Sequence, residues 1–430
     1  MSDIDATRRL LAYLSAAAVA GGQPVHEVEA DTRRVADHLG HHDLQISASP
    51  TGVTLSLGGG TPATFESISG PLRLDQSAET AEIRTGLLTD AITPADALTR
   101  LSHLRATPHR YPRGGLEVGM ICVASGISFI LQPLWPSVIF SAIAGQVTAQ
   151  FIRFSGRWRS LATLTPFLVA FLIAFAAFST WQAGLVEGPL RSLLPPIAVL
   201  LPGALVVTGL SELAAGAMTA GTARLAYGST QLLLFALGVA GAAWLLRVPS
   251  SALNNEIVNG IGPWSPVAGV LLLTVGISLM ESVPPRLVPW VALILSLTLA
   301  FQVLGQSVVG SPWFGALLGS MAASFGAALV ELYRPALPRL VMFLPSFWLL
   351  VPGSLGLVSV TQLGLEPSMA GETILQSASI VSAIALGLFV GTSAARIIGV
   401  TRTRRLDLLR RRRRTRRGVA GSTGSTAIGG

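Results

Sequence analysis

From Gly114 onward, the sequence is a succession of apolar stretches of about 17 to 23 residues, the length at which a helix spans a bilayer. Ten such stretches lie between Gly114 and Arg396. A mean hydropathy of +0.60, with only 12% charged residues, excludes a purely soluble protein. We therefore predict an all-α polytopic membrane protein with about ten transmembrane helices.

Charge divides the chain into segments. Residues 1–113 contain 10 Arg and 13 acidic residues, and residues 114–395 contain nine Arg and eight acidic residues. Residues 396–430 contain 11 Arg and a single acidic residue. We predict a small cytosolic domain at 1–113, two five-helix repeats at 114–250 and 251–395, and an Arg-rich cytosolic tail at 396–430.

Residues 1–113 have the mixed periodicity of a small α/β domain. Alternating apolar and polar residues on either side of a Ser-Pro-Thr-Gly turn predict a β-hairpin at Leu44 to Leu57. Helical spacing predicts a first helix before Gly21-Gly22. Three more helices are predicted at 24–39, 77–89 and 95–104, the last starting at Thr93-Pro94.

This segment carries no recognisable catalytic or metal-binding motif. His38, His41 and His42 form the only histidine cluster, and Gly40 breaks the helix between them, so the spacing that would place three imidazoles on one face is lost. No nucleotide-binding loop or nucleophile motif is present in the sequence. We expect no metal, no cofactor and no catalytic residues, and hence not an enzyme.

The positions of arginines predict the orientation of the spans, because arginine in short loops accumulates on the cytosolic side. With the N-terminus inside, seven loop arginines are cytosolic, and only Arg191 and Arg247 lie in outer loops. The Arg-rich tail also falls inside, which requires an even number of spans. Both termini are therefore expected in the cytosol, with the tail on anionic lipids of a bacterial cytoplasmic (inner) membrane rather than on nucleic acid.

An internal repeat is visible when residue n is compared with residue n + 150. Leu194-Pro195 matches Leu344-Pro345, and Pro202-Gly203 matches Pro352-Gly353. Leucines and a glycine recur in the same register: Leu200, Leu205, Leu213 and Gly221 correspond to Leu350, Leu355, Leu363 and Gly371. The chain is therefore interpreted as a duplicated five-helix unit.

Joining two odd-numbered units in tandem forces them to cross the membrane in opposite directions. Such inverted repeats are typical of secondary transporters, in which one half rocks against the other around a central site. The Pro-Gly pairs interrupt the fourth and ninth spans, where unwound backbone is suited to binding a zwitterionic solute. The alternative is that Pro and Gly are simply common in membrane helices.

Glu212 is the main ionisable candidate within the spans, and Arg224 follows it by twelve residues. One interpretation is a proton-carrying or substrate-binding carboxylate paired with Arg224. The other is a solvated residue at the end of a helix, beside a positive-inside arginine. Gln362 occupies the equivalent position in the second half, so any function of the charge is asymmetric.

The phrase VLLPGALVVTGLSEL followed by AGTARL, in a chain with ten spans behind an α/β segment, resembles the threonine/serine exporter family. The stretch Gly70 to Leu104 is also similar to the N-terminal domain of that family, so the resemblance covers nearly the whole chain. It implies that Pro202, Gly203, Glu212 and Arg224 form the first-half motif. It further implies export of threonine and serine from the cytosol, driven by the proton-motive force.

Two other functions remain open at this point. One is a transporter of another small polar metabolite, and the other is a membrane-tethered enzyme or sensor that acts through residues 1–113. The sequence also leaves open whether the chain forms a homo-oligomer.

Overall fold

A computed structural model describes residues 3–58, 62–112, 114–249, 259–334, 337–350 and 375–398. The predicted second-half site residues Pro352, Gly353 and Gln362 lie outside the described residues, as does the Arg-rich tail beyond residue 398.

The described part of residues 3–112, called the N-terminal unit below, combines four helices with a small antiparallel sheet. The helices are α1 (Asp3–Ala20), α2 (Val25–His38), α3 (Leu74–Leu88) and α4 (Pro94–His103), and the strands are β1 (Leu44–Ser49), β2 (Gly52–Leu57) and β3 (Thr64–Ser67). The strand order is β1-β2-β3. Leucines at helical spacing on α1 pack with Leu55 of β2 and Ile83 of α3 in one buried core.

The predicted hairpin is confirmed, since Leu44 pairs with Leu57 and Ser49 with Gly52. The helix start at Thr93-Pro94 is also confirmed, because the Thr93 hydroxyl accepts a hydrogen bond from the Asp96 backbone N–H at 3.2 Å. Strand β3 was not predicted. It is four residues long and its Phe65 is 64% exposed, so it lacks the apolar face that identifies a strand in sequence.

Helices occupy nearly all the rest of the described chain. The first half contains α5 (Gly115–Leu131), α6 (Trp135–Ser155), α7 (Arg159–Gln182), α8 (Pro189–Ser192), α9 (Leu194–Ile197), α10 (Gly203–Ala214) and α11 (Met218–Leu245). The second half contains α12 (Ser265–Met280), α13 (Val288–Val309), α14 (Pro312–Tyr333), α15 (Arg339–Phe343), α16 (Ser346–Leu350) and α17 (Leu375–Ile398).

Among the described residues, five helices are long and apolar enough to cross a membrane, namely α7, α11, α13, α14 and α17. The bent succession from Pro189 to Ala214 makes a sixth if it is one broken span. Helices α5 and α12 are apolar but shorter, at 17 and 16 residues. The structure is that of a multi-pass membrane protein, and the count of ten spans stays a prediction.

Helices α5 and α12 cross through four glycines. A Cβ atom on Gly119 would lie 2.8 Å from the Gly276 carbonyl, and one on Gly276 would lie 2.7 Å from the Gly119 carbonyl. Likewise, a Cβ atom on Gly126 would lie 2.7 Å from the Gly269 carbonyl, and one on Gly269 would lie 2.7 Å from the Gly126 carbonyl. Because real Cβ atoms do not approach backbone so closely, this crossing requires glycine at all four positions.

Each half also contains a matching pair of helices. In the first, Gly238 of α11 packs so closely on α7 that a Cβ atom would lie 2.5 Å from the Phe167 carbonyl. In the second, Gly387 of α17 packs on α14 in the same way. A Cβ atom on Gly387 would lie 2.5 Å from the Leu317 carbonyl. Gly241 and Gly391, which are 150 residues apart, lie one turn further along each contact.

The N-terminal unit is docked on one end of the helix bundle. Val25 and Val28 of α2 pack in one buried cluster with Ala220 at the start of α11. Leu74 of α3 shares another cluster with Leu287, in the turn before α13. Glu82 of α3 forms an ion pair with Arg286 in the same turn. These contacts involve the start of α11 and the turn between α12 and α13.

Candidate functional site

The segment Pro189 to Ala214 is a broken helix. Helices α8 and α9 and a 3₁₀ turn at Ala198–Leu200 end at Leu201, and α10 then leaves at 65° to the preceding segment. Pro202 lacks a backbone N–H and so cannot continue the hydrogen bonding of the preceding turn, and Gly203 begins the new helix in a buried position. The structure therefore contains a break at the place that the Pro-Gly pair predicts.

Glu212 lies near the end of α10, and its carboxylate is paired with Arg224 on α11. Glu212 Oε2 is 3.0 Å from Arg224 Nε, and the two side chains are 0% and 10% exposed. The alternative interpretation of Glu212 as a solvated end residue is therefore wrong for the folded chain. The pair is a buried one, and burying two charges is costly unless each is compensated.

Two glycines bring the helices of this pair together. A Cβ atom on Gly221 of α11 would lie 2.6 Å from the carbonyl of Gly209 on α10. In turn, the Cβ of Arg224 lies 3.1 Å from the position that a Cβ on Gly209 would take. Because no side chain separates the two backbones, Arg224 reaches the Glu212 carboxylate directly after a short turn.

The second oxygen of Glu212 is bound by the N-terminal unit. The backbone N–H of Val25 donates to Glu212 Oε1 at 2.9 Å. Val25 is the first residue of α2, whose opening N–H groups have no partner within their own helix. His26 interacts electrostatically with the same carboxylate. Glu212 therefore connects the end of α10, the start of α11 and the start of α2.

A cavity of about 90 Å³ lies where α10 faces the second half. Glu212 does not line it, but Ser211, the preceding residue on α10, does. The cavity is large enough for several water molecules or one small solute, since a single water needs about 10–15 Å³. Its walls come from α10, α14, α15, α16 and α17, and the start of α2 closes one side. Four hydroxyls line it, those of Thr208, Ser211, Ser324 and Thr392.

These hydroxyls present acceptor oxygens to the cavity. Ser211 donates its proton to the Thr208 carbonyl, Ser324 to the Met321 carbonyl, and Thr392 to the Leu388 carbonyl. A hydroxyl whose proton is committed in this way still has a lone pair available. The cavity therefore offers hydroxyl acceptors to N–H or O–H donors, within a wall that also carries apolar side chains such as Phe343, Phe347 and Leu388.

Ion pairs join the N-terminal unit to the second half next to this cavity. Glu27 of α2 contacts Arg339 at the start of α15, and its other oxygen is 3.2 Å from the Arg396 guanidinium on α17. Arg339 also lies 3.8 Å from Glu331, at the end of α14. Through Glu27, the first turn of α2 is therefore held by two helices of the second half.

The network continues into the N-terminal unit. Arg84 of α3 lies 3.5 Å from Glu331 and forms an ion pair with Asp31 of α2. Burial raises the pKa of Asp31, but Arg84, the Gln23 amide and Arg34 outweigh it, so the pKa lies below its ordinary value. Asp31 is therefore ionised at neutral pH and holds Arg84 towards the bundle.

The structure brings together only part of the predicted set. Pro202, Gly203, Glu212 and Arg224 lie within one broken helix and the helix that follows it. Sequence reasoning did not predict the roles of Val25 and Glu27, which lie on α2. Val25 is an ordinary helix start and Glu27 an ordinary acidic residue of a first turn, so neither indicates a contact with the bundle. The partner of Val25 is 187 residues away in the sequence.

These features define a class: a multi-pass membrane protein with a broken helix, a buried ion pair and a solute-sized cavity. The family model ThrE, described as "Putative threonine/serine exporter", matches residues 9–246, and the chain belongs to this family. The family is one of exporters and not of enzymes. A search of curated proteins and a search of solved structures found no match.

The matched residues include the N-terminal unit and the first half, and with them Glu212 and Arg224. The match ends at residue 246, so it is shorter than the resemblance that the sequence indicates. Beyond that residue, the likeness to the family stays a prediction.

Proposed function

We propose that this chain exports threonine and serine from the cytosol through the cavity between α10 and the second half. The family assignment supports an exporter of these amino acids. The hydroxyl-lined cavity supports a small solute with several hydrogen-bond donors. Threonine and serine fit this description, since each carries an ammonium group and a hydroxyl.

The observation that carries the proposal is the burial of the Glu212–Arg224 pair, with Glu212 one residue along α10 from Ser211 in the cavity wall. Ionisable residues within membrane segments are costly and mark substrate or ion pathways when they persist. Glu212 has one carboxylate oxygen on Arg224 and the other on a backbone N–H that belongs to a different part of the chain. A carboxylate with such a replaceable partner is suited to binding an ammonium group or a proton. Coupling to the proton-motive force follows if Glu212 takes up a proton when the solute leaves.

Alternating access of two inverted five-helix repeats is the proposed mechanism. The contact of α5 with α12 supports it, because Gly119 and Gly269 are 150 residues apart, as are Gly126 and Gly276. The repeat therefore maps the contact of Gly119 with Gly276 onto the contact of Gly269 with Gly126, which is the reciprocal pattern that a two-fold axis generates. The matched contacts of α7 with α11 and of α14 with α17 support the same relation.

The topology of the proposed exporter places both termini in the cytosol of a bacterial cell, with the chain in its cytoplasmic membrane. The N-terminal unit contacts the segments that begin α11, α13 and α15 and the end of α17. All of these lie on the side to which the arginine distribution assigns the cytosol. In the same topology, the Arg-rich tail beyond residue 398 lies against anionic lipids.

Transport by the purified protein tests the proposal. The full chain in liposomes with an inward proton gradient should move labelled threonine and serine, and a Glu212→Gln variant with the same incorporation should be slower. Efflux of both amino acids from preloaded liposomes at the rate of protein-free liposomes would show that the substrate assignment is wrong.

A further inference from the structure

The first turn of α2, residues Val25 to Val28, touches both halves of the bundle. Val25 donates its backbone N–H to Glu212, which belongs to the first half. Two residues later, Glu27 pairs with Arg339 and Arg396, which belong to the second half. Pro24, His26 and Glu27 form the wall of the cavity on this side. The α2 turn therefore forms part of the cavity wall and contacts both halves of the bundle.

The α2 turn also resembles a substrate chemically. The free N–H groups at the start of a helix carry partial positive charge, equivalent to about half an elementary charge. An α-ammonium group offers a carboxylate the same combination of N–H donors and positive charge. Glu212 is 0% exposed, and its Oε1 atom accepts the Val25 N–H, so an ammonium group reaches that oxygen only when the α2 turn moves away.

The turn is attached to the bundle mainly by polar contacts. Its attachments to the second half are ion pairs, and Arg396 is 68% exposed, which limits the strength of that pair. Its apolar contact with the first half is made with the small side chain of Ala220. Few large apolar side chains hold the turn to the bundle at this point, so its separation exposes little apolar surface.

We propose that the α2 turn is an intramolecular plug that occupies the ammonium subsite at Glu212 and closes the cavity to the cytosol. A primary-amine solute replaces the Val25 N–H on Glu212, and the plug leaves Arg339 and Arg396 as the two halves move. The inference rests on the proposed function in taking Glu212 as part of the solute pathway. It assigns to the N-terminal unit the control of access to that pathway.

Chemical labelling of a single cysteine measures withdrawal of the plug without any transport assay. Ala220 is 3% exposed and packs beneath Val25 and Val28, so an Ala220→Cys variant in a Cys122→Ala background reports the uncovered state. In inside-out vesicles, an impermeant maleimide should label it slowly. Glu27→Arg breaks the ion pairs to Arg339 and Arg396, and should accelerate labelling by about tenfold or more.

Three further variants make the result specific. The charge exchange Glu27→Arg with Arg339→Glu should return labelling to the slow rate. Asp37→Arg makes the same charge change on α2, at an exposed position that pairs only with His42 among the contacts that the structure shows, and should leave the rate unchanged. Met218→Cys, at an exposed position of α11, should label fast in every background and so reports that the protein is folded and oriented.

The plug is overturned if Ala220→Cys labels at the same rate with Glu27 and with Glu27→Arg while Met218→Cys remains fast in both. It is also overturned if Ala220→Cys in the otherwise unaltered chain labels as fast as Met218→Cys. Saturating threonine or serine should raise labelling of Ala220→Cys severalfold, and methylamine should do so weakly. An unchanged rate with all three amines removes the claim that the solute displaces Val25.

A cross-link connects the plug to transport. A short bifunctional thiol reagent that forms disulfides with Glu27→Cys and Arg339→Cys should reduce threonine efflux by about tenfold, because the α2 turn can then no longer leave the second half. A reductant should restore efflux. Full efflux from cross-linked protein overturns the plug. If Ala220→Cys labels slowly but the protein shows no threonine efflux before or after cross-linking, the result counts against the proposed function. The plug is then supported by the labelling alone.

Discussion

Gly119 and Gly276 lie against each other's backbone carbonyls where α5 crosses α12, with no room for a methyl group on either. The same is true of Gly126 and Gly269, one repeat unit away from the first pair. A crossing made from backbone alone joins the two halves at a fixed distance, so a side chain at any of these positions must separate the helices.

Alanine at this crossing should destabilise the protein. Gly119→Ala and Gly276→Ala are each expected to cost about 1–3 kcal/mol, because a methyl group at 2.7–2.8 Å from a carbonyl forces the backbones apart. Thermal unfolding in detergent measures the effect. Gly241→Ala is the control, since its Cβ would lie 3.5 Å from the nearest atom. Equal melting temperatures for all three variants would refute the close crossing.

The Glu212–Arg224 pair predicts a defined result for charge removal. Glu212→Gln and Arg224→Gln should each lower the folded yield, since removing one member of a buried pair costs about 3–5 kcal/mol. The double variant should recover most of that stability. If Glu212 binds the solute or a proton, transport per folded molecule stays low in the double variant.

Recovery of both stability and transport in the double variant would assign the pair a purely structural role. Glu212→Asp is the informative intermediate, because it keeps the charge and shortens the reach to both partners. It should retain more transport than Glu212→Gln at equal abundance.

The break at Pro202-Gly203 predicts that a large side chain there stops transport. Gly203 is buried where α10 begins, so Gly203→Leu should abolish efflux while membrane abundance stays near normal. Gly353→Leu, at the repeat-equivalent position, should behave in the same way. Gly156→Leu is the control, because Gly156 has an ordinary helical conformation and its nearest atoms are at 3.6 Å. Normal efflux in both variants would leave the break as architecture only.

How far the sequence predicted the structure depends on the distance over which each signal acts. Turn and cap chemistry is decided within a few residues, so some features can be predicted locally. Three of them are present in the structure: the helix start at Thr93-Pro94, the hairpin turn and the Pro202-Gly203 break. The pairing of Glu212 with Arg224 was one of two alternatives, and only the burial of both side chains decides it.

The contact of Val25 with Glu212 was beyond reach of sequence reasoning. It depends on where the whole N-terminal unit docks, and docking is determined by surfaces rather than by periodicity. The ion pairs of Glu27 are of the same kind. A charged residue in the first turn of a helix is explained equally well by the helix dipole, so nothing in the sequence marks it as a contact with the bundle.

Topology is open to a direct test. Single cysteines at Ser2 and Ser425, in a background with Cys122 replaced, should resist an impermeant thiol reagent in intact cells and react after permeabilisation. The expected protection follows from the arginine distribution, seven in cytosolic loops against two outside. Reaction of either terminus in intact cells contradicts the ten-span arrangement.

The stability of the docked N-terminal unit should depend on pH through Glu281, which lies in the turn after α12 beneath α3. Burial raises the pKa of this carboxyl to about 7 and the Asp75 carboxylate adds to the shift, although the Leu74 backbone N–H and Arg73 oppose it. The folded protein therefore holds a proton that the unfolded chain releases near its ordinary value of 4.5. Stability is complete below that pH and falls as pH rises through about 7, by up to about 3 kcal/mol.

Thermal unfolding of the full chain between pH 5 and 8 in detergent checks this dependence, over roughly the interval in which the folded and unfolded pKa values differ. Glu281→Gln removes the ionisation while keeping the shape of the side chain, so its melting temperature should vary less with pH and exceed that of the unaltered chain at pH 8. Asp43→Asn is the control, since Asp43 is exposed and far from this turn, and it should follow the unaltered chain. Identical pH profiles for the unaltered chain and Glu281→Gln would mean that the turn is hydrated and that the docking of α3 does not depend on this proton.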